Sequence, residues 1–214
     1  MKKIFTVVMI LSISIQASAQ IKAVTEKGDT INVYENGTWE SLNKIKEIAD
    51  IESTVKATVK VDEFENSKRI TTENWSRFGK NTIGNTISGS LIRVDELTVF
   101  EISFTGDLGC LSEYSTTMKV KLTNGEIIEF AQLSDTDCGD YPTARFIPLT
   151  RDQMNDPDLY DIMADNLNKL KQYDWDTIRL DGTEYYTDIT PNSSQKVEKP
   201  EQFFRQHIIA ADRK

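Results

Sequence analysis

One histidine and two cysteines are all the imidazole and thiol ligands that this 214-residue chain offers a metal. That scarcity is the first constraint on function. Zinc sites draw on several His or Cys ligands, and His207 with Cys110 and Cys138 does not supply such a set. A serine hydrolase would need His207 as its base, yet no Gly-x-Ser-x-Gly elbow accompanies it. Neither Gly-x-Gly-x-x-Gly nor a Walker-type phosphate loop occurs, and no Cys-x-x-Cys marks a redox pair. Excess basic charge is absent too: 25 Lys and Arg against 34 Asp and Glu give a formal charge of −9. This balance argues against nucleic acid as a partner and against docking on anionic lipid. It does not imply a cationic partner, because an acidic surface commonly serves solubility. Beyond the first twenty residues no apolar run reaches the roughly 20 residues of a membrane helix. Repeats and low-complexity tracts are missing as well.

What is present begins with an export signal. Lys2 and Lys3 precede a short apolar core, Ile4 to Ile15, and Ala17-Ser18-Ala19 supplies the small residues of a cleavage site. Residues 1–19 therefore read as a signal peptide, cleaved near Ala19. A lipoprotein would carry cysteine next, but position 20 is Gln, so the product is expected to be released into the periplasm or medium with no membrane anchor. Its charge, without Lys2 and Lys3, becomes −11. An apolar fraction of 38% is enough for a folded domain.

Residues 20–42 are rich in strand formers interrupted by two turns, Lys27-Gly28-Asp29 and Asn36-Gly37. They predict a three-strand β-meander, with Trp39 as its apolar plug. The run Ala23-Val24-Thr25, Gly28, Ile31, Val33-Tyr34, Asn36-Gly37-Thr38-Trp39-Glu40 resembles the opening module of uncharacterised secreted Gram-negative proteins. The likeness spans residues 23–40 and implies an envelope or secreted setting, with no activity attached.

Residues 43–53 have helical spacing at Ile45, Ile48 and Ala49 and read as a helix or linker. The main domain follows over 54–214. Alternation of Val55, Ala57, Val59 and Val61 predicts a strand; residues 62–86, with Trp75 and Phe78 three apart, fit no simple period. Strands are expected at 88–94, 97–105, 116–123, 126–133 and 144–149. Asp156 followed by Pro157 predicts a helix start, continued by Leu159, Ile162, Met163, Leu167 and Leu170 to about Tyr173. A hairpin turned at Asp181-Gly182 comes next, and a last helix from about Pro200 carries Phe203, Phe204 and Ile208, with His207 at the edge of its apolar face. The fold class is α+β: mostly antiparallel β, sandwich-like, with two C-terminal helices.

Export places Cys110 and Cys138 in an oxidising compartment. A three-residue loop at Thr123-Asn124-Gly125, with Gly125 left-handed, pairs Leu122 with Glu126, so that paired residue numbers total 248. Met118 then faces Phe130, Val120 faces Ile128, and Lys119 meets Glu129. A two-residue loop would set Val120 against Glu129, a poorer match. The total of 248 also places Cys110 opposite Cys138, which predicts a disulfide; a free catalytic or redox thiol is the competing reading.

Three further groups carry candidate chemistry. Asp135, Asp137 and Asp140 lie within six residues and can converge on calcium, a hard cation that takes oxygen ligands. A solvated turn accounts for the same residues, and position twelve of a helix-loop-helix calcium site would be Phe146, not Glu. Tyr173, Trp175, Tyr185 and Tyr186 form an aromatic group able to stack on sugar or peptide, or simply to fill core. Paired carboxylates could hydrolyse a glycan or peptide, although composition nominates no pair. The leading expectation is a secreted or periplasmic binding or accessory protein, its partner a protein, peptide or glycan, with no required cofactor. The alternative is a carboxylate-dependent envelope hydrolase, calcium-assisted if the aspartates bind.

Overall fold

The structure, a computed structural model, describes residues 21–24, 30–33, 39–41, 52–65, 67–194 and 196–214. The chain divides between Ala49 and Asp50 into two units. The leader and both meander turns lie outside the described residues, as do residues 43–51 of the helix or linker expected over 43–53; residues 52 and 53 are in neither helix nor strand. In the first unit β1 (Ile21–Val24), β2 (Thr30–Val33) and β3 (Trp39–Ser41) pair antiparallel in that order, with Val33 opposite both Ile21 and Trp39. This is the expected three-strand meander; the packing of the Trp39 side chain lies outside the described residues.

The second unit contains β4 (Ala57–Asp62), β5 (Ser67–Thr72), β6 (Trp75–Lys80), β7 (Thr86–Val94), β8 (Leu97–Phe104), β9 (Cys110–Leu111), β10 (Thr117–Leu122), β11 (Ile127–Gln132), β12 (Asp137–Cys138) and β13 (Thr143–Ile147). Helix α1 (Leu159–Gln172), strands β14 (Trp175–Asp181) and β15 (Tyr186–Pro191), and helix α2 (Phe203–Asp212) complete it. The fold is antiparallel α+β, and its two β layers are walls of one continuous sheet. Strand β7 is long enough to take three partners: β8 along one side, and on the other β6 near its start and β5 near its end. Following the pairings from β6 through β15, β14, β10, β11, β13 and β8 to β7 returns to β6, so eight strands close a barrel. A barrel of eight strands has an interior just wide enough for side chains to fill.

The inward positions follow from alternation. Ile87 and Leu91 of β7, Phe100 and Ile102 of β8, Met118 and Val120 of β10 and Phe130 of β11 are all essentially inaccessible. Helix α2 enters this interior at its N-terminus. Phe203 stacks on Phe78 with ring centroids 3.9 Å apart, and Phe204 meets Phe100 edge-on at 5.0 Å. Every residue from Phe203 to Ala211 is buried, so the polar ones need partners. Arg205 donates to the carbonyls of Lys171 and Gln172 and pairs with Asp174 at 2.8 Å, which satisfies the last turn of α1. Gln206 accepts the Thr54 N–H, and its carbonyl accepts the Ser53 hydroxyl, tying the start of the unit to the helix.

Three local expectations change. Helix α1 starts at Leu159 rather than after Asp156, because the Asp156 carboxylate accepts the Asp158 N–H and shapes a preceding turn instead. Residues 62–86 contain β5 and β6, whose period is broken by a bulge: Trp75 faces Gly89 but Gly79 faces Ile87, so four residues of β6 span two of β7. Trp75 and Phe78 can both be buried for that reason. His207 is not at the edge of an apolar face; it is wholly buried, between Thr72, Trp75 and Phe203.

Candidate functional site

The β10–β11 hairpin has the register expected from its turn. Paired numbers total 248 from Thr117–Ala131 to Lys121–Ile127, and Gly125 has φ of 91°. Beyond the hairpin the same total continues in the two-stranded β9–β12 sheet, where Cys110 faces Cys138. The two cysteines form a disulfide. Closing a loop of this length stabilises by about 3 to 4 kcal/mol in the chain-entropy model.

A second hairpin turn docks on this bridge. Thr183 N–H donates to the Cys110 carbonyl at 3.0 Å and Glu184 N–H to that of Leu108 at 3.1 Å. Cys110 N–H returns a bond to the Thr183 hydroxyl at 2.8 Å. The approach requires glycine at 182, where a Cβ would lie 2.3 Å from the Leu108 carbonyl oxygen. Below the bridge, buried Gln132 donates to the carbonyls of Leu111, Ser134 and Asp135. Three segments of distant sequence are thus held together at this end of the barrel: residues 108–116, 134–142 and 181–186.

Each presents tyrosine to solvent. Tyr114 is 80% exposed, Tyr141 73%, and Tyr185 and Tyr186 62% each. Tyr186 is braced from behind. Arg179 makes a two-pronged ion pair with Asp188, both bonds 2.7 Å, and its guanidinium lies 4.5 Å from the Tyr186 ring centroid. The hydrogen bonds from Arg179 hold the Asp188 carboxyl below its ordinary range. At Tyr114 a hydrogen bond with Glu113, together with that residue's charge, raises the phenol above its ordinary value. Tyrosine suits such a rim because it offers a rigid apolar face and a polar tip at low entropy cost.

The expected sites fare differently. Asp137 has its Oδ2 engaged by the Thr143 N–H at 2.8 Å, closing the loop that carries Tyr141. Asp135 serves the loop through its backbone carbonyl. No group of three carboxylate, His or Cys side chains arranged to hold a metal occurs among the described residues. The four aromatics are not brought together. Trp175 is core, with its indole N–H bonded to the Pro200 carbonyl at 2.7 Å and Phe78 edge-on to it; Tyr173 is partly buried against the same core. Asp181, at the far end of β14, pairs with Tyr186, so roughly 20 Å of strand separates Trp175 from the tyrosine pair. Tyr114 and Tyr141 follow the two bridged cysteines by four and three residues, so it is the Cys110–Cys138 bridge that brings their loops to the same end of the barrel.

Elsewhere an open groove of about 430 Å³ lies between the β7–β8 turn and α1. Met163, Ala164 and Leu167 floor it, and Asp95, Glu96 and Asp161 are among its lining residues. Arg93, also on its wall, is committed: Nε donates to Thr98 and a terminal nitrogen pairs with Asp212 at 2.8 Å. Among the described residues no helix is long and apolar enough to cross a membrane. Searches of protein-family models, of curated proteins and of solved structures find no match.

Proposed function

We propose that this protein is an exported binding or accessory module that recognises a protein, peptide or glycan through the tyrosine rim at its disulfide-braced end. One observation carries the reading: three separate segments bearing exposed tyrosines are fixed to one another by the Cys110–Cys138 bridge and by backbone hydrogen bonds. A rim held in place before binding loses little entropy on contact. The leader-like first nineteen residues support export, as does a disulfide of the kind that persists in oxidising compartments. The likeness of residues 23–40 to secreted Gram-negative proteins points the same way.

The test uses panels of soluble oligosaccharides and peptides, with binding followed by calorimetry. The Tyr114→Ser, Tyr141→Ser, Tyr185→Ser triple variant should lose at least tenfold in affinity for any ligand found, while Tyr160→Ser, away from the rim, should not. Equal binding by both variants would remove the rim as the site. Export is checked separately, by the N-terminal residue of the protein recovered outside the cytoplasm, expected to be Gln20.

A second reading, a carboxylate-dependent hydrolase, has the acid-lined groove in its favour. Its test is release of reducing ends or amines from the same panels, abolished by Asp161→Asn.

A further inference from the structure

Among the described residues, closure of the barrel leaves one strand with a free side. Every other strand of the ten-stranded sheet has neighbours on both sides, whereas β4 pairs, among the described residues, with β5 alone. Its residues are exposed from Thr58 to Asp62, Val59 at 40% and Val61 at 60%, and Phe64 at the hairpin tip is fully exposed. An uncovered edge is a row of unpaired N–H and C=O groups, ready to template another strand.

Register decides which groups are free. Glu73 N–H donates to the Lys56 carbonyl at 2.8 Å, so these residues form a hydrogen-bonded pair in the β4–β5 ladder. Alternation along an antiparallel ladder then turns the backbone groups of Thr58, Lys60 and Asp62 toward β5 and those of Ala57, Val59 and Val61 outward.

We propose that β4 pairs with β4 of a second copy of this chain, antiparallel, on a two-fold axis through Val59. Charge complementarity selects both the occupant and the register. Outward groups must meet outward groups, so paired numbers total an even value. A total of 118 sets Val59 against its own copy, Ala57 against Val61 and Thr58 against Lys60. Lys56 then meets Asp62 of the second copy on both sides of the axis. All seven residues from 56 to 62 overlap, with two attractive pairs and no repulsive one. A total of 116 sets Lys56 against Lys60, and 120 sets Lys60 against itself; like charges directly opposite destabilise. A total of 122 runs into the turn at 63–65. The segment Lys-Ala-Thr-Val-Lys-Val-Asp is therefore self-complementary in one register, and that register supplies about six ladder hydrogen bonds.

Sedimentation equilibrium of the purified, oxidised protein should show a concentration-dependent monomer–dimer equilibrium, and Lys56→Glu should weaken it at least tenfold. Cysteine substitution reads the register. Residues facing across a hydrogen-bonded pair have Cα atoms about 5.5 Å apart, within disulfide reach, so Val59→Cys should cross-link to its own copy on mild oxidation. Val61→Cys should not, because its copy lies roughly 13 Å along the strand. A protein monomeric at every accessible concentration would overturn the proposal. So would equal cross-linking by the two cysteine variants, or a Lys56→Glu dimer as tight as the parent. Capture of an unrelated extended peptide by β4, with the chain itself staying monomeric, would assign the edge to another partner and overturn it likewise.

Discussion

The β10–β11 and β4–β5 hairpins are built from the same alternation of apolar and polar side chains, and they end in opposite environments. Met118, Val120 and Leu122 are all at or below 1% exposure, while exposure climbs from 7% at Val55, two residues before β4, to 40% at Val59 and 60% at Val61 within it. The pleat is the same in both; the neighbours differ. Strand β10 lies between β11 and β14 over a filled barrel interior. The chain leading into β4 is tied to Gln206 at Ser53 and Thr54, and β4 then runs on with β5 as its one neighbour among the described residues. Full burial of a valine is worth about 1.5 to 3 kcal/mol, and much of that is unclaimed at Val59 and Val61 in a single chain. Alternation specifies a strand and its two faces. Burial is decided by what the rest of the chain lays against each face.

Mutation should break this comparison most sharply at the barrel. Phe130, fully buried and edge-on to Phe100 at 5.9 Å, should cost about 3 to 5 kcal/mol on truncation to alanine. Val61→Ala should cost less than about 0.5 kcal/mol at concentrations where the chain is monomeric. Urea unfolding midpoints at unchanged slope measure both, and equal losses would mean that the ribbon is as much a part of the core as the barrel wall. The disulfide is the next largest effect. Replacing Cys110 and Cys138 together by serine should cost about 3 to 4 kcal/mol. Ligand binding at the rim should weaken as well, because residues 108–116 and 134–142 lose their covalent tie; a double variant as stable as the parent would show the bridge to be redundant with the β9–β12 pairing.

How much of this could be read in advance depended on range. The hairpin register and the bridge were legible because one turn, fixed by Gly125, sets every pair beyond it. Ring closure was not, since the pairing of β7 with β5, β6 and β8 is chosen by long-range fit and leaves no mark in any one strand. The rim was half legible. Tyr185 and Tyr186 stand out by composition, but grouping them with Trp175 trusted closeness in sequence where a strand had carried the chain away. Tyr114 and Tyr141 look like ordinary loop residues until the loops are known to meet. A one-sided helical period for α2 puts His207 at the edge of the apolar face, whereas the helix is buried on every side there. The better signal was that, from Phe203 to Ala211, Arg205 is the sole charged residue, as befits a helix buried all round.

That buried histidine gives a further contrast between wall and ribbon, through pH. Its Nδ1 lies 2.6 Å from the Thr72 hydroxyl and its Nε2 has no hydrogen-bond partner among the described residues. The aromatic rings of Trp75 and Phe203 offer no counter-charge. Burial pushes its pKa down to about 3 from the ordinary 6.5. The unfolded chain therefore takes up a proton near pH 6.5 that the folded chain refuses until about pH 3. The contribution to stability is complete above 6.5, falls by about 1.4 kcal/mol per unit as the pH drops, and is lost by about 3. Between pH 6.5 and 4.5 the parent should lose about 2 to 3 kcal/mol more than His207→Gln, since carboxylate effects common to both chains cancel. Parallel stability profiles for the two proteins would show that the histidine is hydrated.

The smallest expected effect lies at the bulge that lets β6 leave the β5 edge and join the ring. Arg77 has φ of 56° there, a left-handed conformation that a Cβ disfavours. Its side chain is exposed, and the backbone supplies the function: Arg77 N–H donates to the Ser88 hydroxyl at 2.9 Å, and its carbonyl accepts from Asn192 at 3.1 Å. Those bonds join β7 and the residue after β15 to the slip between them, so the conformation is imposed by closure and not by the arginine. Asparagine tolerates the left-handed region better than other residues with a Cβ. Arg77→Asn should therefore stabilise by a few tenths of a kcal/mol, and Arg77→Val, stiff and branched at Cβ, should cost about 1 to 2 kcal/mol. The neighbouring Ser76→Val, at a position without positive φ, should change little. Equal effects at 76 and 77 would mean that the cost resides in surface composition. A cost confined to 77 would locate it in the backbone turn by which the barrel closes and β4 is left outside.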